Sequence, residues 1–217
     1  MTLLKFKSFF EELLNSNFSR DNTHILDKSD CEKVYNKLSY CFKNITRKYY
    51  SNNIKNFNFL NADHLAICLY LFSTQFYKKK KIELANKFFL LNKIINSIDL
   101  YYAVTMPKIF MFCHPHGSII GNASYSDYSI FFQNITIGRK GKKYPKFSKG
   151  IIFYPGTKII GNCNVGNNVI FAPDSSIVDT NIPSNSLVIG KYPDIIIKRN
   201  KHNVIKDFFK TKKKIKI

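Results

Sequence analysis

Apolar residues along this chain follow two different periods, and the change falls near its middle. Leu3-Leu4, Phe9-Phe10 and Leu13-Leu14 recur on one helical face with charges between them, which predicts an amphipathic helix over roughly 2–15. Ser29-Asp30-Cys31-Glu32 has the form of a capping box, in which Ser and Glu satisfy the first free amides reciprocally. Val34, Leu38, Cys41, Phe42 and Ile45 follow it at helical spacing. Asn61 is the N-cap of a third predicted helix carrying Leu65, Leu69 and Phe72, and a fourth over about 80–98 carries Leu84, Phe88, Leu91 and Ile95. Such stripes are the ordinary signature of packing, so they are read as core and oligomer contacts rather than as a cofactor site.

After Asp99 the Lys/Glu/Leu mixture gives way to Gly, Pro, Asn, Ser, Ile and Val, and a six-residue period appears. Phe153, Ile159, Val165, Phe171 and Ile177 stand six apart, and four residues after each of the first four come Thr157, Cys163, Val169 and Ser175. A second run on the same lattice is Ile119, Tyr125, Phe131 and Ile137, with Ala123, Ser129 and Ile135 in the small position. Neither a strand period of two nor a helix period of 3.6 produces this, whereas a repeated hexapeptide does so in a parallel β-helix. Each hexad forms one flat face and three faces close a coil; aliphatic side chains stack inward while Gly or Asn takes the tight corners. The spacing from Ile120-Gly121 to Ile137-Gly138 is one residue short of a full coil, and the lattice breaks between Gly138 and Gly150. The break, Arg139 to Lys149, is strongly basic and reads as a loop ejected from the coil, the kind of place where chemistry sits on a rigid scaffold. The expected organisation is α+β: a helical domain over 1–98, a β-helix over 99–197 with its loop at 139–149, and a basic tail over 198–217.

Composition limits the function classes. Hydrophobic residues are 45% of the 217 and aromatics 15%, too rich for a disordered chain, while no apolar run is long enough to span a bilayer. No apolar segment followed by a small-residue cleavage site opens the chain, so no signal peptide is expected. The five cysteines (Cys31, Cys41, Cys68, Cys113 and Cys163) lie in no metal spacing and favour a reducing cytoplasm. With 34 Lys+Arg against 14 Asp+Glu the formal charge is +20, which points to an anionic partner without saying which. The four-lysine run Lys78–Lys81 and the tail, with nine Lys/Arg against one Asp, keep a nucleic-acid or anionic-surface binding protein as a rival, although no recognition motif accompanies them.

The segment His114-Pro-His-Gly-Ser-Ile-Ile-Gly121, followed by Phe132-Gln-Asn-Ile-Thr-Ile-Gly138, Tyr144-Pro-Lys-Phe147, Lys158-Ile-Ile-Gly-Asn-Cys-Asn-Val-Gly166 and Ile182-Pro-Ser-Asn-Ser-Leu-Val-Ile-Gly190, resembles the hexapeptide-repeat acyltransferases of the serine acetyltransferase type. The resemblance implies a left-handed β-helix and acetyl-CoA as co-substrate, with no metal. It also implies a homotrimer, a hexamer being open, with acetyl-CoA lying between coils of neighbouring subunits. It places the general base on His114 and the carboxylate that orients it on Asp99, fifteen residues upstream. Imidazole suits that role because its unperturbed pKa of about 6.5 lets it take and release a proton near neutrality. His116, two residues on, is a second active-site group or a rival base. Cations for the CoA phosphates are expected among Arg139, Lys140, Lys142, Lys143 and Lys158, with Gly138 and Ala172 beside them.

Three positions depart from the family's pattern. Cys113 replaces the acid before the base, and Lys143-Tyr144 replace the Arg-His before Pro-Lys. In the family these positions hold an amino acid's charged groups. Lys143 keeps a positive charge without the planar fork that fits a carboxylate, and Tyr144 offers a ring face and hydroxyl suited to a sugar. Cys113, His116, Lys143 and Tyr144 are thus expected to meet the acceptor, and a sugar hydroxyl of a surface polysaccharide is the preferred one, with L-serine as the alternative. A metal-dependent hydratase on the same scaffold ranks last, because the β-helix offers only His114 and His116 as histidine ligands.

Overall fold

The computed structural model describes residues 2–18, 24–46 and 57–210. Four helices come first: α1 (Leu3–Phe18), α2 (Lys28–Lys43), α3 (Ala62–Lys78) and α4 (Ile82–Asn96). Helix α3 is the hub, with Leu65, Leu69 and Phe72 buried as the spacing predicts, and it packs on α4, α2 and the first strand. Asn61 caps it as expected, its side-chain oxygen accepting from the backbone amides of Asp63 at 3.0 Å and His64 at 3.3 Å. Val34, Leu38, Cys41 and Phe42 on α2 are buried, but Leu4 of α1 and Ile95 of α4 face solvent. On α1 the buried row is instead Phe6, Phe10 and Leu14, spaced four apart.

The predicted capping box is not formed. Helix α2 starts at Lys28 after Asp27, and Asp30 turns inward. Its Oδ1 meets Lys79 Nζ at 2.6 Å and accepts from Gln75 Nε2 at 3.1 Å, pinning α2 to the end of α3. Burial alone pushes the Asp30 carboxyl up; Lys79, Gln75 and Lys81 outweigh it and leave it below its ordinary value. A carboxylate held down in the fold contributes stability above its unfolded pKa and loses it as pH falls through the folded one. Asp30→Asn should therefore cost about 1–3 kcal/mol at pH 7, and its denaturation midpoint should converge with the parent's below about pH 4. Of the lysine run, Lys79 is spent on Asp30 and Lys81 meets Asp27 at 3.3 Å, so this segment is a helix–helix turn.

From Phe110 the chain winds into a left-handed parallel β-helix of about five turns. One face stacks β1 (Phe110–Phe112), β3 (Ser129–Phe131), β6 (Ile151–Phe153), β9 (Val169–Phe171) and β11 (Ser186–Lys191). A second stacks β2 (Ile119–Ile120), β4 (Thr136–Gly138), β7 (Lys158–Ile160) and β10 (Ser176–Val178). The third is built on β5 (Lys146–Phe147) and β8 (Asn164–Val165). Phe153, Ile159, Val165, Phe171 and Ile177 all point inward, as do Thr157, Cys163, Val169 and Ser175. Corners fall on Asn134, Asn168 and Asn185 and on glycines, all at positive φ.

The earlier run differs in one residue. Ile119 is 50% exposed and Ile120 is buried, because Ile120 and not Ile119 sits opposite Ile137 in the ladder. The short coil foreseen from the spacing of Ile120-Gly121 and Ile137-Gly138 is where the inward position shifts by one. The break at 139–149 is smaller than expected. Ser129 pairs with Ile151, four residues beyond the eighteen-residue step from Ile151 to Val169. Lys140 and Lys143 close a tight turn through mutual 3.1 Å backbone bonds, while Lys146–Phe147 return to the coil as β5.

The tail is also not free up to Lys210. Strand β12 (Asp194–Arg199) runs antiparallel to β11, and α5 (Val204–Phe208) carries the chain back to the helices. There Phe209 is buried against Tyr128, and the backbone amide of Lys210 donates to the Asn44 carbonyl at 2.8 Å. The expected tail's last residues, 211–217, lie outside the described residues.

Candidate active site

Strand β1 ends at Phe112, and the chain then leaves the coil in a tight turn that carries the candidate base. Cys113 is buried, its amide donating to the Phe131 carbonyl at 2.9 Å. His114 takes φ 52°, a left-handed conformation costly for most residues, and this throws its side chain into solvent. His116 donates its amide to the His114 carbonyl at 2.8 Å and is also exposed. Gly117 closes the turn at φ 69°, a left-handed conformation that strains any other side chain, and a Cβ there would press on Asn134 Oδ1 at 2.3 Å. Its amide donates to the Ser97 carbonyl at 3.0 Å, tying the turn to the end of α4.

Asp99 lies on the neighbouring coil, its amide donating to the Ser118 carbonyl at 2.9 Å. Its carboxylate pairs with Lys93 Nζ at 2.8 Å, and no bond joins it to His114 in the single chain. The carboxylate that reaches the His114 residue is Asp63, from the first turn of α3: the His114 backbone amide donates to Asp63 Oδ1 at 3.0 Å. Burial raises the Asp63 carboxyl above its ordinary value, opposed by that amide and by the His114 and His116 rings. Spacing along the chain does not single out Asp63. Its only signal in the sequence is its place two residues after an N-cap, where acids are common for helical reasons alone. The next residue, His64, is a core histidine packed 4.4 Å from the Phe42 ring, with burial lowering its pKa to about 4. Burial pushes the Cys113 thiol up to about 11, with Asp63 adding to it, so at neutral pH it is an uncharged thiol.

The other expected residues lie around the Lys140–Lys143 turn. Arg139, Lys142, Lys143 and Lys158 are exposed, and Tyr144 is half-buried. Lys140 is engaged, its Nζ 2.7 Å from Asp179 Oδ2, and that contact raises its pKa and lowers that of Asp179. Gly138 ends β4 opposite Ile160, and the Ala172 amide donates to the Val188 carbonyl at 2.9 Å. Within one chain no hydrogen bond or ring contact connects Lys143 or Tyr144 to His114. Among the described residues no helix is long and apolar enough to cross a membrane, and no group of three or more His, Cys, Asp or Glu could hold a metal.

No family model matches the chain. The serine acetyltransferase of Buchnera aphidicola subsp. Schizaphis graminum is 30% identical over 220 aligned residues, covering 87% of this chain and 81% of that protein. Among solved structures, a serine acetyltransferase in complex with cysteine superposes with a TM-score of 0.70 at 18% identity, over 91% of this chain and 81% of that one. The Brucella abortus serine acetyltransferase in complex with coenzyme A does so with 0.70 at 17%, over 91% and 83%. The solved structures share the fold, and the Buchnera enzyme shares sequence through both the helices and the coils. This chain belongs to the serine acetyltransferase family and is an acyltransferase.

Proposed function

We propose that the chain transfers the acetyl group of acetyl-CoA to the hydroxyl of L-serine, with His114 as general base. The observation that carries this reading is the likeness to serine acetyltransferases across 87% of the chain, which takes in the turn that exposes His114. The imidazole of His114 accepts the hydroxyl proton as the serine oxygen attacks the thioester carbonyl. The C–S bond then breaks, the ester forms on oxygen, and the proton held by His114 passes to the departing thiolate. Arg139, Lys142, Lys143 and Lys158 are the exposed cations available to the CoA phosphates. Lys140 would have to leave Asp179 first. Asp99, held by Lys93, would support the turn through the strand contact beside Ser118. The homotrimer belongs to the same proposal, as does a cytoplasmic setting, which five free thiols support.

One observation favours a second reading: Cys113, Lys143 and Tyr144 stand where the family's pattern has charged partners for an amino acid, and a tyrosine suits a sugar. Thiol release from acetyl-CoA separates the two. L-serine should be turned over at least about 10²-fold more efficiently than nucleotide sugars or polysaccharide fragments. The reverse order would transfer the assignment to a sugar hydroxyl.

A further inference from the structure

We propose that the cavity between α2, α3 and the connector at 102–108 is a binding site for a small aromatic anion, separate from the His114 turn. It measures about 730 Å³, within the range of small-ligand sites. Its lining comes from α2, from the second half of α3 and from the segment that leads from α4 into β1. Tyr40, Tyr70, Tyr77 and Tyr102 bring four rings to its walls, with Val104 and Met106 between them. Tyr70 is spent on holding the wall in place: its hydroxyl donates to the Val104 carbonyl at 2.6 Å and accepts the Met106 amide at 3.1 Å. The Thr74 hydroxyl donates to the Tyr102 carbonyl at 3.3 Å, and the Cys41 thiol to that of Phe110 at 3.1 Å. Both helices thus grip the connector, and the cavity is formed in advance of any ligand.

Charge decides what it would hold. Lys37, Lys78 and Lys108 line the cavity, and among the described residues no Asp or Glu does. None of the three forms an ion pair with a described residue, in contrast to Lys79, Lys81 and Lys140, each paired with an aspartate. Lys37 Nζ has a neutral partner, Gln75 Oε1 at 2.9 Å, whose amide nitrogen is in turn spent on Asp30. Burial lowers the Lys37 pKa, with Lys78 and Lys33 adding to the effect and Asp30 opposing it. A partly desolvated cation among other cations is unfavourable alone, and an anion brought beside it relieves the cost. Tyr40 and Tyr77 line the cavity yet stay exposed. Tyrosine faces favour a flat aromatic body, and the ammonium groups favour a carboxylate or phosphate on it. The place is distinct from the candidate active site: Thr74 lies about 16 Å along α3 from Asp63, which meets the His114 turn. None of the residues of that turn or of the Lys140–Lys143 turn lines the cavity.

The test is calorimetry of 1-naphthoate, 1-naphthyl phosphate and the neutral 1-naphthamide binding to the full chain. At least one of the two anions should bind about 10-fold more tightly than the amide, and the tighter of them identifies the head group. Lys37→Met should remove most of that advantage. Lys5→Met, which deletes the same charge from the exposed side of α1, should leave it within about twofold. Saturating acetyl-CoA should leave the affinity unchanged, as should His114→Asn. No binding of either anion, equal binding of the amide, an equal loss in Lys5→Met, or displacement by acetyl-CoA overturns the site, and none of these outcomes bears on the acceptor of acetyl transfer. If Lys37→Met does not fold, a reporter decides. The chain has no tryptophan, so Tyr40→Trp places its sole indole on the cavity wall. The tighter anion must then shift or quench that emission with the affinity seen by calorimetry, and unchanged emission refutes the site.

Discussion

Replacing His114 with Asn should cut acetyl transfer by about 10²- to 10⁴-fold while leaving acetyl-CoA affinity and the melting temperature near the parent's values. The range is that of a lost general base, because no other group in the turn takes over at the same place. His116 is exposed two residues on, but the backbone reverses between them, with the His116 amide bonded to the His114 carbonyl. Asn is the better probe than Ala here. His114 sits at φ 52°, where Asn is tolerated and Ala adds backbone strain of about 1 kcal/mol. His114→Ala would therefore mix a folding effect with the chemical one. Turnover is read by thiol release and affinity by calorimetry of acetyl-CoA binding. Parental turnover in His114→Asn would remove His114 from the mechanism, and a matching loss in His116→Asn alone would identify the rival base.

The two halves differ in what a sequence can disclose about them, and the reason is the range of the interactions. A hexad lattice is local: Phe153, Ile159, Val165, Phe171 and Ile177 announce the inward positions because each coil repeats the last. Even the slip at Ile119 and Ile120 is visible as a shortened coil, although its direction depends on which residue the ladder pairs with Ile137. Helix caps are less secure. Asn61 performs the local bond expected of it, whereas Ser29 is bypassed because Asp30 is drawn inward by Lys79 and Gln75 from another helix. The site is the least legible part. His114 stands in a motif, but its contact with Asp63 spans 51 residues and depends on how α3 lies against β1. Likewise, spacing could not reveal that Asp99 would be claimed by Lys93, or Lys140 by Asp179, since those pairs exist only once the chain is folded.

Phe153→Ala should be the most damaging single change in the coil, costing about 3–5 kcal/mol. Phe153 is fully buried on β6 and stands between two other rings: Phe131 one coil before, with centroids 4.9 Å apart, and Phe171 one coil after, at 5.8 Å and nearly parallel. Phe147 meets it edge-on from the third face at 5.0 Å. Truncation removes all three contacts and leaves a hole whose walls are backbone held in continuous ladders on both sides, so little relaxation is available. Against a total stability of about 5–15 kcal/mol this is a large fraction, and the melting temperature should fall by roughly 10 °C or more. Phe153→Leu, which fills most of the volume, should lose less than half as much. Because each coil is supported only by its neighbours, the damage should spread along the axis: hydrogen exchange should accelerate in β3 and β9 as well as β6, while amides of α3 stay protected. The Lys140–Lys143 turn lies on the same coil step as Phe153 and the His114 turn lies above it. Acetyl transfer by the variant should therefore fail at a lower temperature than in the parent, without a change in KM below that point. A loss of protection confined to β6 would show that the aromatic column does not couple the coils.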